Sequence, residues 1–171
     1  MIITPSYCAM MARYNLWQNH SLITAADTLS DGARTADRGA FFGSVTGTYS
    51  HLLWGDLIWM SRFDGGQPPG GGIPGSAGLF EAWEGFKKLR AATDKRILGW
   101  ADQLESDDLE GDLIWVSGAL AREVSRPLGL CIAHFFNHQT HHRGQIHAML
   151  TAAGAQPDDT DLFVMPEDIG L

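Results

Sequence analysis

Apolar side chains recur along most of the chain at the three- and four-residue spacing that marks one face of an α-helix. The pattern predicts four helices, over residues 5–29, about 41–63, 79–104 and 127 to about 153. The second segment is apolar around much of its circumference, so we expect it to be buried on more than one side. Four such segments without a periodic run of strands predict an all-α protein, a four-helix bundle.

The connections between these segments differ in character. Residues 65–78 include seven glycines and three prolines, a composition that predicts a long exposed crossover loop over about 64–78. The stretch 113–124 joins a β-branched run to the turn-prone Gly118, which is compatible with a small hairpin before the last helix. An acidic C-terminal tail over about 155–171 carries one apolar patch, residues 162–165, which we expect to dock on the body or on a neighbour. We expect a single domain over 1–171.

Composition and charge narrow the classes of function. The chain has 171 residues, and 12 Lys and Arg against 20 Asp and Glu give a net charge of −8, which would repel a phosphate backbone. Two cysteines, Cys8 and Cys131, are too few for a disulfide framework, so we expect buried, unreactive thiols in a cytoplasmic protein. We find neither a charged-then-apolar leader nor an apolar run near the ~20 residues that a bilayer requires. Neither nucleic acid nor membrane is an expected partner.

The last predicted helix is unusually rich in histidine. His134, His138, His141 and His142 fall within nine residues, and His147 follows. At ~100° per residue, the inward-facing seam of this helix includes two of them. The members of the seam are Leu128, Cys131, Phe135, His138, His142, Gln145 and Met149. Two imidazoles therefore lie where apolar residues belong, and His147, about 180° away, should face solvent.

The spacing of these histidines suggests a metal site. Imidazoles at i and i+4 project from one face about 6 Å apart, which lets both bind one divalent cation. His51 lies among apolar residues of the second helix, where a helical bundle places the rest of a ligand set. We therefore predict a three-histidine site of His51, His138 and His142 with open positions. Two alternatives remain: His134 or His141 could enter the ligand set, or the rings could be hydrogen-bonded in the core without metal.

Several other side chains are candidates for the surroundings of this site. Asn15 and Asn19 share one face of the first helix and could line the pocket or orient an imidazole. Gln145 lies on the seam, where it could contact a substrate or His51. Trp54 and Trp59 could wall the pocket.

Three further positions are expected outside the pocket. Arg143 is expected to pair with an acidic neighbour. Asp56, five residues from His51, should face elsewhere on its helix, so it is no candidate general base. His20 is expected at the surface near the end of the first helix, and no catalytic residue beyond the metal ligands can be assigned.

Three segments resemble one known family, the DinB-like proteins. Residues 137–146, Asn-His-Gln-Thr-His-His-Arg-Gly-Gln-Ile, resemble its metal-site signature, residues 13–19 resemble the start of its first helix, and residues 51–56 resemble its second ligand segment. The resemblance implies an atypical four-helix bundle, a probable homodimer, and a divalent metal, usually nickel, zinc or iron. It places the ligands on His51, His138 and His142.

The resemblance is less specific about the activity than about the metal site. Some relatives are thiol S-transferases that use low-molecular-weight thiols such as bacillithiol, mycothiol or glutathione. The leading hypothesis is therefore a metal-dependent enzyme that delivers a thiol to a small electrophile. A metal-dependent hydrolase and a non-enzymatic metal-binding or stress-related module are the alternatives.

Overall fold

The structure, a computed structural model, describes residues 3–118 and 120–170. Within them the chain is mostly helical, with one small two-stranded sheet. The helices and strands are α1 (Pro5–Asp27), α2 (Asp31–Thr35), α3 (Val45–Phe63), α4 (Trp83–Asp102), β1 (Asp112–Ser117), β2 (Arg122–Pro127) and α5 (Leu128–Ala152). Four of the helices are long, and they correspond to the four segments that the apolar spacing predicts.

Capping side chains explain where the first two long helices begin. Thr4 caps α1 by accepting a hydrogen bond from the Tyr7 amide, and Pro5 follows at the first turn. Ser44 caps α3 in the same way by accepting from the Gly47 amide. The second long helix, α3, therefore starts at Val45 and not near residue 41, because the chain first makes a tight turn in which Gly43 has a φ of +74°.

The predicted crossover is more ordered than its composition indicates. Ile73–Gly78 forms a short 3₁₀ helix that packs against α3, and its Ser76 is 1% exposed. Ser50 of α3 holds the C-terminal end of this segment, because its hydroxyl donates to the Ser76 carbonyl and accepts from the Leu79 amide, each at 2.7 Å. The predicted exposure holds for the other five residues of this segment, and Ser76 is its buried exception. The helix α4 begins at Trp83 instead of residue 79.

The four long helices pack in a closed order. α1 packs against α4 and α5, and α3 packs against the same two helices from the other side. The apolar core falls into two clusters: one is centred on Tyr49, Leu53 and Phe86, and the other on Met60, Ile132 and Phe135. Because α3 packs against α5, the candidate ligand His51 of α3 and the candidate ligands His138 and His142 of α5 come from neighbouring helices.

The stretch before α5 forms the hairpin that the sequence suggested. β1 and β2 are antiparallel, with Leu113 opposite Arg126 and Trp115 opposite Val124. The tail docks on α1 through its backbone: Tyr14 and Gln18 donate to the carbonyls of Thr160 and Asp159 at 2.6 and 2.8 Å. The apolar patch is not the anchor, since Phe163 is 86% exposed.

Among the described residues, none of the helices combines the length and the apolar character that crossing a bilayer would take.

Candidate metal centre

Three histidine rings from two helices converge on one point. His51 comes from α3, and His138 and His142 lie one turn apart on α5. One nitrogen from each ring lies within 4.8 Å of the others, and the Nε2 atoms of His51 and His138 are 3.3 Å apart. Two nitrogens bound to one tetrahedral cation at ~2.05 Å are separated by about 3.4 Å. The arrangement therefore has the dimensions of a metal site.

Hydrogen bonds on the far side of two rings fix which nitrogen faces the centre. The Ser76 hydroxyl donates its single proton to the Ile73 carbonyl at 2.7 Å, so it accepts from Nδ1–H of His51 at 2.8 Å. Nδ1–H of His142 donates to Oε1 of Gln145, also at 2.8 Å. In both rings Nε2 therefore carries the lone pair that a metal requires, which is the arrangement typical of metal-binding histidines.

Burial keeps these rings in their neutral, ligating form. Burial and the neighbouring His142 lower the pKa of His51 to about 4, and burial together with the other histidines lowers that of His138 to about 3. Burial also lowers the pKa of His142. At neutral pH none of the three imidazoles needs to lose a proton before it binds a cation. Three neutral imidazoles within 4.8 Å of one another, two of them in the tautomer that leaves Nε2 free, fit a divalent transition metal.

Aromatic rings wall one side of the centre. Phe42 stacks on His51 with ring centroids 3.8 Å apart, and it meets His142 edge-on at 5.6 Å. Trp54 stacks more loosely on His51 at 6.1 Å, and its indole donates to the Gly70 carbonyl. These rings shield His51 from water. Within the described residues, no other His, Cys, Asp or Glu joins the group, so a bound ion would keep open coordination positions.

Two glycines of α3 make the close approach possible. A Cβ at Gly55 would lie 2.7 Å from Cε1 of His138, so the absence of a side chain leaves room for that ring. A Cβ at Gly47 would lie 2.2 Å from the Phe42 carbonyl oxygen, so this glycine admits the turn that carries Phe42. The glycines that weaken α3 as a helix are thus the residues that shape the site.

A buried polar network lies beside the centre and joins α3 to α4 and α5. Asp56 of α3 accepts from Arg90 of α4 at 2.5 Å and from Gln139 of α5 at 3.0 Å. Arg90 also contacts Asp94 at 2.8 Å. Asp56 and Gln139 directly follow Gly55 and His138 in the chain, so this network fixes the register of α3 against α5 at the level of the ligands. Asp56 faces this network, away from the His51 ring, as its position on the helix predicts.

The amides of α1 belong to this network and do not contact the ligand rings. Asn15 and Asn19 each donate to Asp94 at 2.9 Å, so neither lines the centre or orients an imidazole. Arg143 donates to the side-chain oxygen of Asn15, and among the described residues it pairs directly with no carboxylate. Within this network the charges of Asp56 and Asp94 balance those of Arg90 and Arg143. The two amides thus give the buried carboxylate of Asp94 its hydrogen bonds. The sequence could not indicate this contact, because Asp94 lies in another helix.

The remaining histidines and cysteines lie outside the triad. His134 is exposed and packs edge-on against Trp59 at 5.1 Å, while His141 is exposed beside His142. His20 is exposed, as predicted, but His147 is half-buried, in contrast to its expected position in solvent.

Both thiols are buried, and burial raises the pKa of Cys8 to about 11 and also raises that of Cys131. Trp59 lies against His134 and is not part of the wall around His51.

Three residues of the centre were not predicted. Ser76 and Phe42 lie in connections without periodicity, so nothing in the sequence pointed to them. Gly55 could have been found, because a glycine four residues after a candidate ligand leaves space on the facing side of the same helix. Gln145 was predicted near the site, and its contact is with His142 instead of His51.

Together, the mostly helical fold and the converging histidines define a helical protein with a candidate site for a divalent metal. The sequence profile of the DinB family matches residues 4–168, nearly the whole chain. The chain belongs to the DinB family, which confirms the resemblance seen in its three segments. Among curated proteins it is similar to Protein DinB of Bacillus subtilis (strain 168), with 23% identity over 167 residues, 88% of this chain and 90% of the relative.

Proposed function

We propose that this protein is a metal-dependent thiol S-transferase that holds one divalent ion through Nε2 of His51, His138 and His142. The observation that carries the metal-binding part of the proposal is the 3.3 Å separation of two ring nitrogens, at least one of which presents a lone pair. Such a close pair is stable only with a proton or a cation between the nitrogens. The proposal includes a four-helix bundle as the frame that holds the ligands, with the rings of His51 and His142 oriented from behind by hydrogen bonds.

The side chains around the centre have separate tasks. Ser76 and Gln145 hold two of the imidazoles in the ligating tautomer. Phe42 and Trp54 cover His51, so a reactant reaches the centre from the side that the aromatic rings leave open. A divalent ion bound there would lower the pKa of a thiol or water that reaches it. The thiol reaction is preferred because some proteins of the family that the chain resembles are thiol S-transferases.

The identity of the metal is proposed only as nickel, zinc or iron. Imidazole donors suit all three and copper as well, so the ligand type does not choose among them. Metal content should be measured on protein purified without an affinity tag. We expect one equivalent of metal for the unaltered protein and a loss of that metal in His142→Ala. His20→Ala, which removes an exposed histidine of α1, is the matched control and should retain the metal.

Activity requires a separate assay. The metal-loaded protein should be supplied with a panel of small thiols and electrophiles, and we expect thiol-dependent turnover that His142→Ala lacks. Consumption of the electrophile without thiol would instead identify a hydrolase. Turnover no faster than that of the free metal ion would contradict the enzymatic part of the proposal and leave a metal-binding module.

We also propose that the protein is a homodimer, as the family resemblance implies. The outer face of the hairpin supports this, because Ile114 and Val116 are 62% and 73% exposed. Light scattering coupled to size exclusion should give twice the mass of the chain. A mass of one chain at micromolar concentration would contradict the proposal.

A further inference from the structure

One of the three candidate ligands is less confined than the other two. His51 and His142 are 6% and 7% exposed, whereas His138 is half-buried. Nδ1 of His51 is held by Ser76, and Nδ1 of His142 is held by Gln145. Within the described part of the chain, the ring of His138 has Nε2 of His51 as its one hydrogen-bonding partner. His138 is therefore the ligand that meets solvent and whose ring is least restrained.

A further histidine lies next to His138 at the surface. His134 precedes it by four residues on α5, and its side chain is exposed. The ring centroids of His134 and His138 are 5.8 Å apart, close to the 4.4–5.3 Å that separate the rings of the triad. Two imidazoles at this spacing on a helix lie on one face, where both can bind one divalent cation.

The ring of His134 is positioned but not engaged. It packs edge-on against Trp59 with centroids 5.1 Å apart, which holds it beside His138. Over residues 3–118 and 120–170, neither of its nitrogens takes part in a hydrogen bond between side chains or with the backbone. It also lies outside the group of ligand atoms that are all within 4.8 Å of one another. His134 thus offers a nitrogen lone pair to solvent without belonging to the triad.

We propose that His134 and His138 form an entry site for the divalent ion of the centre. The two rings bind the ion at the surface, and bonds to His51 and His142 then replace the bond to His134. Each exchange breaks one metal–nitrogen bond and makes another, and neutral imidazoles release no proton. Since the captured ion is already next to the triad, the later steps occur within the protein. The inference rests on the metal-binding part of the proposed function.

The two rate constants of metal binding distinguish this role from others. A residue that acts only on the path is passed in both directions, so its loss slows association and dissociation by the same factor and leaves Kd unchanged. Loss of a residue of the final ligand set instead raises Kd, chiefly through faster dissociation. A merely structural contact with Trp59 would be kept by another aromatic ring at position 134.

The test uses Co²⁺ alone and the variant His134→Phe, which keeps a ring against Trp59 and removes both nitrogens. Stopped-flow quenching of tryptophan fluorescence measures association, because the ring of Trp54 lies 6.1 Å from that of His51. Transfer of Co²⁺ to excess chelator measures dissociation, and competition at equilibrium measures Kd. We expect both rates to fall at least about threefold and Kd to change less than about twofold.

His141→Phe is the matched control on the same helix. His141 is also exposed, and its ring lies 4.9 Å from that of His142. Both nitrogens of His142 are committed, one to Gln145 and the other to the centre, so His141 has no ligand with which to form a second site. Both rates should therefore stay within about twofold of those of the unaltered protein.

His134→Glu tests the same position with a different ligand. A carboxylate can bind the ion, so both rates should exceed those of His134→Phe. Attraction by the added charge alone would speed association but slow dissociation, and that result would contradict the proposal. Circular dichroism checks the fold of each variant, and His134→Gln, with the same expectation, replaces His134→Phe if the latter does not fold.

The outcomes separate this inference from the proposed function. Unchanged rates in His134→Phe, or equal slowing in His141→Phe, would overturn the entry site while leaving the metal centre in place. A raised Kd with unchanged association in His134→Phe would place His134 in the final ligand set and overturn its role in entry. If the unaltered protein binds no Co²⁺ at equilibrium, the metal centre and the entry site are both wrong.

Discussion

Gly55 lies directly beneath the ring of His138, which makes Gly55→Ala the sharpest perturbation of the centre. The added methyl group would lie 2.7 Å from Cε1 and 3.3 Å from Nδ1 of that ring. Since non-bonded carbon atoms prefer about 3.5–4.0 Å, the ring must withdraw by about 1 Å. Metal–nitrogen bonds tolerate deviations of only about 0.2 Å. We therefore expect metal affinity to fall by about 10–100-fold, or about 1.4–2.8 kcal/mol.

The same substitution should not weaken the metal-free fold. His138 is half-buried and the contacted atoms are at the end of its side chain, so we expect the withdrawal of the ring to cost little. Alanine in a helix interior is favoured over glycine by up to about 1 kcal/mol. Competition against a chromophoric chelator measures the affinity, and urea unfolding in excess chelator measures the stability. Loss of metal affinity without loss of stability is the expected signature.

Gly144→Ala is the matched control for this prediction. Gly144 lies on α5 two residues after His142, and a Cβ there would meet no atom within 4 Å. We expect this variant to bind metal like the unaltered protein and to gain stability from helix propensity. If Gly55→Ala binds metal as tightly as Gly144→Ala does, the inference that the empty space over Gly55 positions His138 is wrong.

Three further predictions follow from the contacts around the centre. Ser76→Ala removes the acceptor that orients His51, so metal affinity should fall about tenfold in chelator competition. Arg90→Met leaves Asp56 as a buried charge without its partner, so the free energy of unfolding should fall by about 3–5 kcal/mol in urea. The metal-free protein should lose stability as pH falls from about 6.5 towards 4, because the lowered pKa values of His51 and His138 let only the unfolded chain take up protons there.

Matched changes test these predictions. Ser61→Ala removes a hydroxyl that bonds only to its own helix, and it should leave metal affinity unchanged. Arg96→Met breaks a partly exposed pair with Asp64 and should cost no more than about 1 kcal/mol. A variant with glutamine at both 51 and 138 should lose most of the dependence on pH in that range. Equal effects of each test variant and its control would refute the corresponding argument.

Local sequence decided the relative positions of the two candidate ligands of α5. A helix advances by a fixed angle per residue, so His138 and His142 must share one face wherever the helix packs. The same arithmetic places Asp56 away from His51, and the starts predicted at residues 5 and 127 lie at or next to the first residues of α1 and α5. The apolar spacing predicted the number of long helices for the same reason.

Only the tertiary structure decided which faces meet. The angular position of Asn15 on α1 was predicted correctly, but its partner is Asp94 of α4, because spacing within one helix carries no information about the neighbour. Ser76 acts on His51 from a glycine-rich connection whose path is set by its contacts with α3. The sequence by itself therefore determined the four long helices and the histidine pair of α5. Packing between helices determined the contacts between distant segments, such as those of Asn15 with Asp94 and of Ser76 with His51.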